Sequence, residues 1–193
     1  PGRTIVLAEG VTDDKNLLRN RMDYGKMAGF LGLTSQTKMV IPGKLIGPDA
    51  LEAPQVRAEE KEKEKAGPPD ILRADVDISA FRPPTILLLN TMGKHLQESH
   101  SLVKGLLAIN AWAEKNITPQ MNDVIIDDIL HRRNREVISY LGKALERYDT
   151  VVIPWGAMHM KEIEAEVIRR GFKLKEERER VSVDFPKMLL GRL

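Results

Sequence analysis

The chain reads as an α/β domain with a small central sheet and helices packed around it. Three observations lead there. Residues 4–8 (Thr-Ile-Val-Leu-Ala) and 150–154 (Thr-Val-Val-Ile-Pro) are short apolar runs rich in β-formers, as expected of buried strands. The stretch between them carries apolar residues at three- and four-residue intervals, the helical period. The resulting order of strand, helices, strand, helix, strand belongs to α/β architecture rather than to a bundle or a sandwich.

Each element has its own signal. The first strand ends at Glu9-Gly10. Asp13 or Asp14 can cap a following helix in which Leu17, Tyr24, Ala28 and Leu31 share a face, flanked by Leu18 and Met22, with a stop near Gly32. Residues 34–48 hold Pro42, Gly43, Gly47 and Pro48 and read as irregular. Residues 59–65 spell EEKEKEK and run into Ala66-Gly67-Pro68-Pro69, so 54–69 is expected to be a solvated, mobile charged loop. Residues 75–79 form a turn leading to Pro83-Pro84, prolines that suit a first helical turn. Helices are expected at about 84–95 and 101–115. After the break at Thr118-Pro119, a long helix follows at about 123–148. The strand 150–154 leads to a short helix over 161–170, closed by Gly171. Residues 172–185, with Val181, Val183 and Phe185 alternating, read as a third strand at an edge.

The composition narrows the function. The chain has 193 residues, enough for one domain with its own core. Lysine and arginine number 30 against 28 aspartates and glutamates, and the two signs are interleaved, so no nucleic-acid footprint is present. There is no cysteine, which removes disulfides, zinc–thiolate sites and a thiol nucleophile. No apolar run reaches the roughly 20 residues that span a bilayer. Any membrane contact is expected only through segments outside this chain.

The chemistry concentrates at strand ends, where open α/β sheets bind ligands. Glu9 ends the first strand. Trp155-Gly156-Ala157-Met158-His159 follows the second, with a helix beginning near Met160 whose positive N-terminus favours an anion. Gly156 permits a sharp turn or close approach to a ligand. On the long helix, Ile126, Leu130, Val137, Leu141 and Ala144 form one stripe. Arg133 falls on it and Asn134 beside it, while Arg132, Arg135 and Glu136 point to solvent. A core-facing arginine needs a carboxylate or bound anion, and Glu9 is the natural partner. Glu9, Arg133 and His159 are thus expected to converge. Such a trio suits metal binding, general-base chemistry or recognition of a carboxylate. Trp155 reads as packing that can line a pocket beside His159. His95, His100 and His131 read as solvated, and Asp13-Asp14 and Asp127-Asp128 as caps or solvated charge.

At these residues the chain resembles the TraB/PrgY/GumN group, related to the Tiki proteases and, more distantly, to erythromycin-esterase-like and ChaN-like proteins. The resemblance rests on Ile5–Gly10, the Arg133-Asn134 pair and Val151–His159 followed by a helix and Gly171-Phe172. It implies a metal-dependent hydrolase acting on peptides, with Glu9, Arg133 and His159 as catalytic residues. Gly156, Trp155 and Asn134 would lie against the substrate. It further implies a divalent manganese, cobalt or zinc ion on His159 and Glu9, completed by a histidine of a first Gly-x-x-His motif upstream of Pro1. Two other readings stand beside it. One is a non-catalytic module for a peptide or haem-like ligand, and the other is an interaction domain with a decayed site.

Overall fold

The computed structural model describes residues 2–23, 25, 26, 29, 42–52 and 67–178. In chain order its elements are β1 (Thr4–Ala8), β2 (Lys44–Ile46), β3 (Asp70–Arg73), α1 (Pro83–Glu98), α2 (Leu102–Asn116) and α3 (Pro119–Ile126). A π-helical stretch at Asp127–Arg132 follows, then α4 (Arg133–Leu145), β4 (Thr150–Val152) and α5 (Ala157–Arg169). Short 3-10 turns stand at Pro48–Leu51 and Ile78–Ala80. The chain divides into two compact units. The first holds Pro1–Lys15, Ile41–Phe81 and Ile126–Gly171, and the second holds Asn16–Val40, Arg82–Ile125 and Phe172–Leu193.

The first unit is α/β with a small parallel sheet, as the sequence predicts. Strand β1 buries Ile5, Val6 and Leu7 in succession. Consecutive burial means that both faces of the strand are covered. It pairs in parallel with β3 on one side and β4 on the other, while β2 pairs in parallel with β3, giving the order β2-β3-β1-β4. Helix α4 lies against β1, β4 and α5. Val137, Leu141 and Ala144 on its inner face join Ile5, Leu7 and Leu72 in the core.

Two strands of the sheet, β2 and β3, were not legible, whereas the outer strand β4 falls within the apolar run 150–154. Strand β2 falls inside the stretch read as irregular, and its Leu45 is 73% exposed. A three-residue strand held by one ladder carries no burial pattern to read. The edge strand expected over 172–185 does not form at 172–178, and the remainder lies outside the described residues. Most of the charged loop 54–69 also lies outside them.

The helix expected after Asp14 is absent over residues 14–23. Its backbone donors are used elsewhere. The Asp14 N–H donates to Asp77, and those of Arg19 and Asn20 donate to Asn90 Oδ1. Asn16 also takes a positive φ of 51°, which interrupts a right-handed helix. Tyr24, Ala28 and Leu31 lie outside the described residues. In the second unit, α1 and α2 pack on each other, and Ser101 caps α2 by accepting from the Lys104 N–H. Gly93 is required there, because a Cβ would lie 1.9 Å from the Asn20 carbonyl oxygen.

The π-helical stretch corrects the stripe read on the long helix. One extra residue in a turn rotates everything upstream by about 100° relative to an α-helical count. Ile126 is consequently 44% exposed, and Asp128 takes an inward position with no exposure at all. Asp128 pairs with Arg132 at 3.4 Å, and Arg132 also donates to the Ala80 carbonyl. Neither residue is a solvated charge. No helix among the described residues is long and apolar enough to cross a membrane.

Candidate functional site

Three adjacent parallel strands deliver the site. Strand β1 ends at Glu9. Beyond β3, the Ala74 N–H donates to the Ala8 carbonyl and extends the ladder to Asp75, whose Oδ2 accepts from the Gly10 N–H at 2.9 Å. After β4, the chain turns through Trp155 into α5. Gly156 is the N-cap of that helix, so His159 sits in its first turn rather than ahead of it.

Arg133 is the hub. It meets Glu9 as expected, its Nη2 donating to Oε1 at 2.7 Å. Its stronger partner is Asp75, in the turn expected over residues 75–79. Arg133 Nε and Nη2 donate to the two Asp75 oxygens at 3.0 and 2.7 Å. The Asp75 side chain is 0% exposed and that of Glu9 is 31% exposed. The buried, bidentate pair therefore dominates. Burial alone would lower the Arg133 pKa, but Asp75 and then Glu9 outweigh it and hold it above its ordinary value. With two carboxylates on it, this guanidinium is already neutralised, and it is poorly suited to recognising a substrate carboxylate.

His159 is 5% exposed, with its ring edge-on to Trp155 at 5.0 Å. Its Nδ1 lies 2.6 Å from Asn134 Oδ1. Its Nε2 lies 3.4 Å from Arg133 Nη1 and 3.7 Å from Glu9 Oε1. Burial first, and the Arg133 charge second, push its pKa below the ordinary histidine value, against the pull of Glu9, Asp75 and Glu162. The imidazole is therefore neutral at pH 7.

Trp155 is a wall of the site. It is buried, its Nε1 donates to the Leu7 carbonyl at 3.0 Å, and Arg133 lies over its ring at 5.4 Å. Gly156 contributes its N–H, which donates to Glu9 Oε2 at 2.8 Å. Its φ of −60° is open to any residue, and an added Cβ would meet Glu9 and His159 at ordinary distances of 3.7 and 3.9 Å. The glycine is not needed for a sharp turn. Gly156→Ala is expected to cost less than about 1 kcal/mol, the loss of a modest N-cap preference. Thermal melting checks this, and a collapse of the fold would contradict it.

Two further residues belong to the cluster. Glu162, on α5, accepts from Asn134 Nδ2 at 2.7 Å. His131, expected to be solvated, is half-buried with its Nδ1 2.5 Å from Glu162 Oε1. Helical spacing puts Glu162 one turn after His159 and His131 one turn before Asn134, but it does not bring those two helices together. Asp75 follows Ile71-Leu72 much as Glu9 follows the first strand. His95 and His100 belong to the second unit.

The metal implied by the resemblance does not fit these residues as they are held. His159 Nε2 and Glu9 would supply two ligand atoms, yet the Arg133 guanidinium stands 2.7 Å from one and 3.4 Å from the other. A second cation there would face strong like-charge repulsion. Among the described residues, no group of three or more His, Cys, Asp or Glu side chains could hold a metal ion. No family model, curated protein or solved structure matches this chain.

Proposed function

We propose that this cluster is the acid–base centre of a hydrolase, of the TraB/Tiki-like kind suggested by the sequence, acting on peptide substrates. The observation that carries the reading is His159. It is a buried, neutral imidazole with Nδ1 anchored on Asn134 and Nε2 turned toward the end of β1, beside a fixed cation. His159 Nε2 takes a proton from a water molecule as its oxygen attacks the substrate carbonyl, and when the tetrahedral intermediate collapses the C–N bond breaks and the imidazolium returns that proton to the leaving amine. Arg133 Nε and Nη2 are committed to carboxylates, and Nη1 faces the imidazole. In this reading Nη1, the one guanidinium nitrogen not donating to a carboxylate here, steadies through its N–H the negative charge that develops on the carbonyl oxygen. Trp155 shields the base from bulk water on one side. The crowding of Nε2 by Arg133 also disfavours a haem-like ligand, whose iron would need that approach.

The test is cleavage of internally quenched peptides by the purified protein, followed across pH. A base works deprotonated. Because the His159 pKa is lowered below 6.5, activity is expected to be complete at neutral pH. It should fall only as the pH drops through a midpoint below 6.5. A midpoint above 6.5, or peptide binding without any cleavage, would overturn the reading in favour of a binding module. Cleavage that appears only with added manganese, cobalt or zinc would restore the metal-dependent form.

A further inference from the structure

A continuous chain of hydrogen bonds runs from half-buried His131 to buried His159. His131 Nδ1 lies 2.5 Å from Glu162 Oε1, Asn134 Nδ2 donates to Glu162 Oε2 at 2.7 Å, and Asn134 Oδ1 lies 2.6 Å from His159 Nδ1. All four residues belong to the first unit: His131 at the end of the π-helical stretch that runs into α4, Asn134 on α4, and His159 and Glu162 on α5, which packs on α4. Asn134 is wholly buried, so its amide cannot turn to water for an alternative partner.

The chemistry of the groups gives this chain a direction. A carboxylate has lone pairs only and must accept. Asn134 must then present its NH2 to Glu162 and its carbonyl to the imidazole. A carbonyl can only accept, so His159 must carry its proton on Nδ1. Nε2 is left with its lone pair, aimed toward Arg133 and Glu9. Reversing any link would set two acceptors or two donors against each other inside the protein, a loss of about 1–3 kcal/mol. Glu162 is held ionised by its hydrogen bond from Asn134 and then by His131, with the Arg135 charge adding to both.

We infer that Glu162, latched by His131, is a positioning residue that selects the proton position on His159 through Asn134. The inference rests on the reading of His159 as a base, because only the Nδ1–H form leaves Nε2 able to take a proton. Glu162 never touches substrate, so its effect appears as the population of one tautomer.

The tautomer can be read directly by nitrogen-15 NMR of the imidazole rings at neutral pH, with the His159 signals assigned by their loss in His159→Gln. The native protein is expected to show a protonated Nδ1 and a lone pair at Nε2. Glu162→Gln keeps the shape but can donate as well as accept, so Asn134 can turn over and a mixture of tautomers should appear. His131→Ala should shift the population the same way by less. Asn134→Asp supplies an obligate acceptor to His159 and should keep Nδ1 protonated without Glu162. If peptides are cleaved, Glu162→Gln should lower kcat by about 10- to 100-fold with KM unchanged, the usual effect of losing a partner that orients a functional histidine. A native His159 protonated at Nε2, or an unchanged tautomer in Glu162→Gln, would overturn the inference even if hydrolysis were found. The predicted tautomers in a protein without activity would uphold the positioning and remove only the hydrolytic reading.

Discussion

Arg133→Ala is expected to lower the free energy of unfolding by about 3–5 kcal/mol, the usual result of removing one partner of a buried ion pair. The loss falls mainly on Asp75. Its side chain is entirely buried, and without Arg133 the polar contacts described for it at the site come from the backbone, chiefly the Gly10 N–H. Glu9 behaves differently. At 31% exposure it can regain water, and it keeps the Gly156 N–H. Urea unfolding measures the loss directly. The assignment to Asp75 is checked by Arg133→Ala combined with Asp75→Asn, which removes the stranded charge and should recover part of the stability. Arg133→Lys should rescue little, because a single ammonium cannot reproduce the planar two-point contact while also reaching Glu9. A loss below about 1 kcal/mol in Arg133→Ala, within the range of exposed pairs, would show that Asp75 does not depend on this cation.

The second large effect concerns turnover. His159→Ala is expected to reduce kcat for peptide cleavage by about 10²–10⁴-fold, the contribution of a well-placed general base. Alanine also removes the partner of a buried Asn134 carbonyl, so this variant loses stability as well. His159→Gln separates the two effects. Its side-chain amide can still donate toward Asn134 but cannot act as a base near neutral pH. It should therefore melt closer to the native protein while losing turnover as severely as alanine. Native rates in a folded His159→Gln would exclude His159 as the base.

Much of the site was legible because strand ends and helical spacing are local properties. Glu9 stands directly after a run of buried β-formers, which puts it at a strand end, and Arg133 lies in register with Val137, Leu141 and Ala144, so it had to face the interior. The π-helical stretch was not legible. It costs one residue of register and shows only in its consequences: Ile126 is turned outward, while Asp128 is turned inward beside Arg132. The helix expected after Asp14 does not form over residues 14–23, although residues 25, 26 and 29 are helical, and its first half failed for a related reason. Its apolar spacing is genuine, but its backbone donors find side-chain acceptors on Asp77 and Asn90. Local propensity lost to long-range hydrogen bonds.

By itself the sequence determined the α/β class, the central strand, the strand before Trp155 and the pairing of Glu9 with Arg133. Burial patterns and charge rules act at short range along the chain. Only the tertiary structure decided that Asp75 is the principal partner of Arg133. It also decided that His159 starts a helix, and that Asn134, Glu162 and His131 stand behind its ring. Those contacts join residues 25 to 58 positions apart. They exist because parallel strands bring the ends of β3, β1 and β4 side by side, and because α4 and α5 pack face to face. No spacing within one element encodes a distance across two.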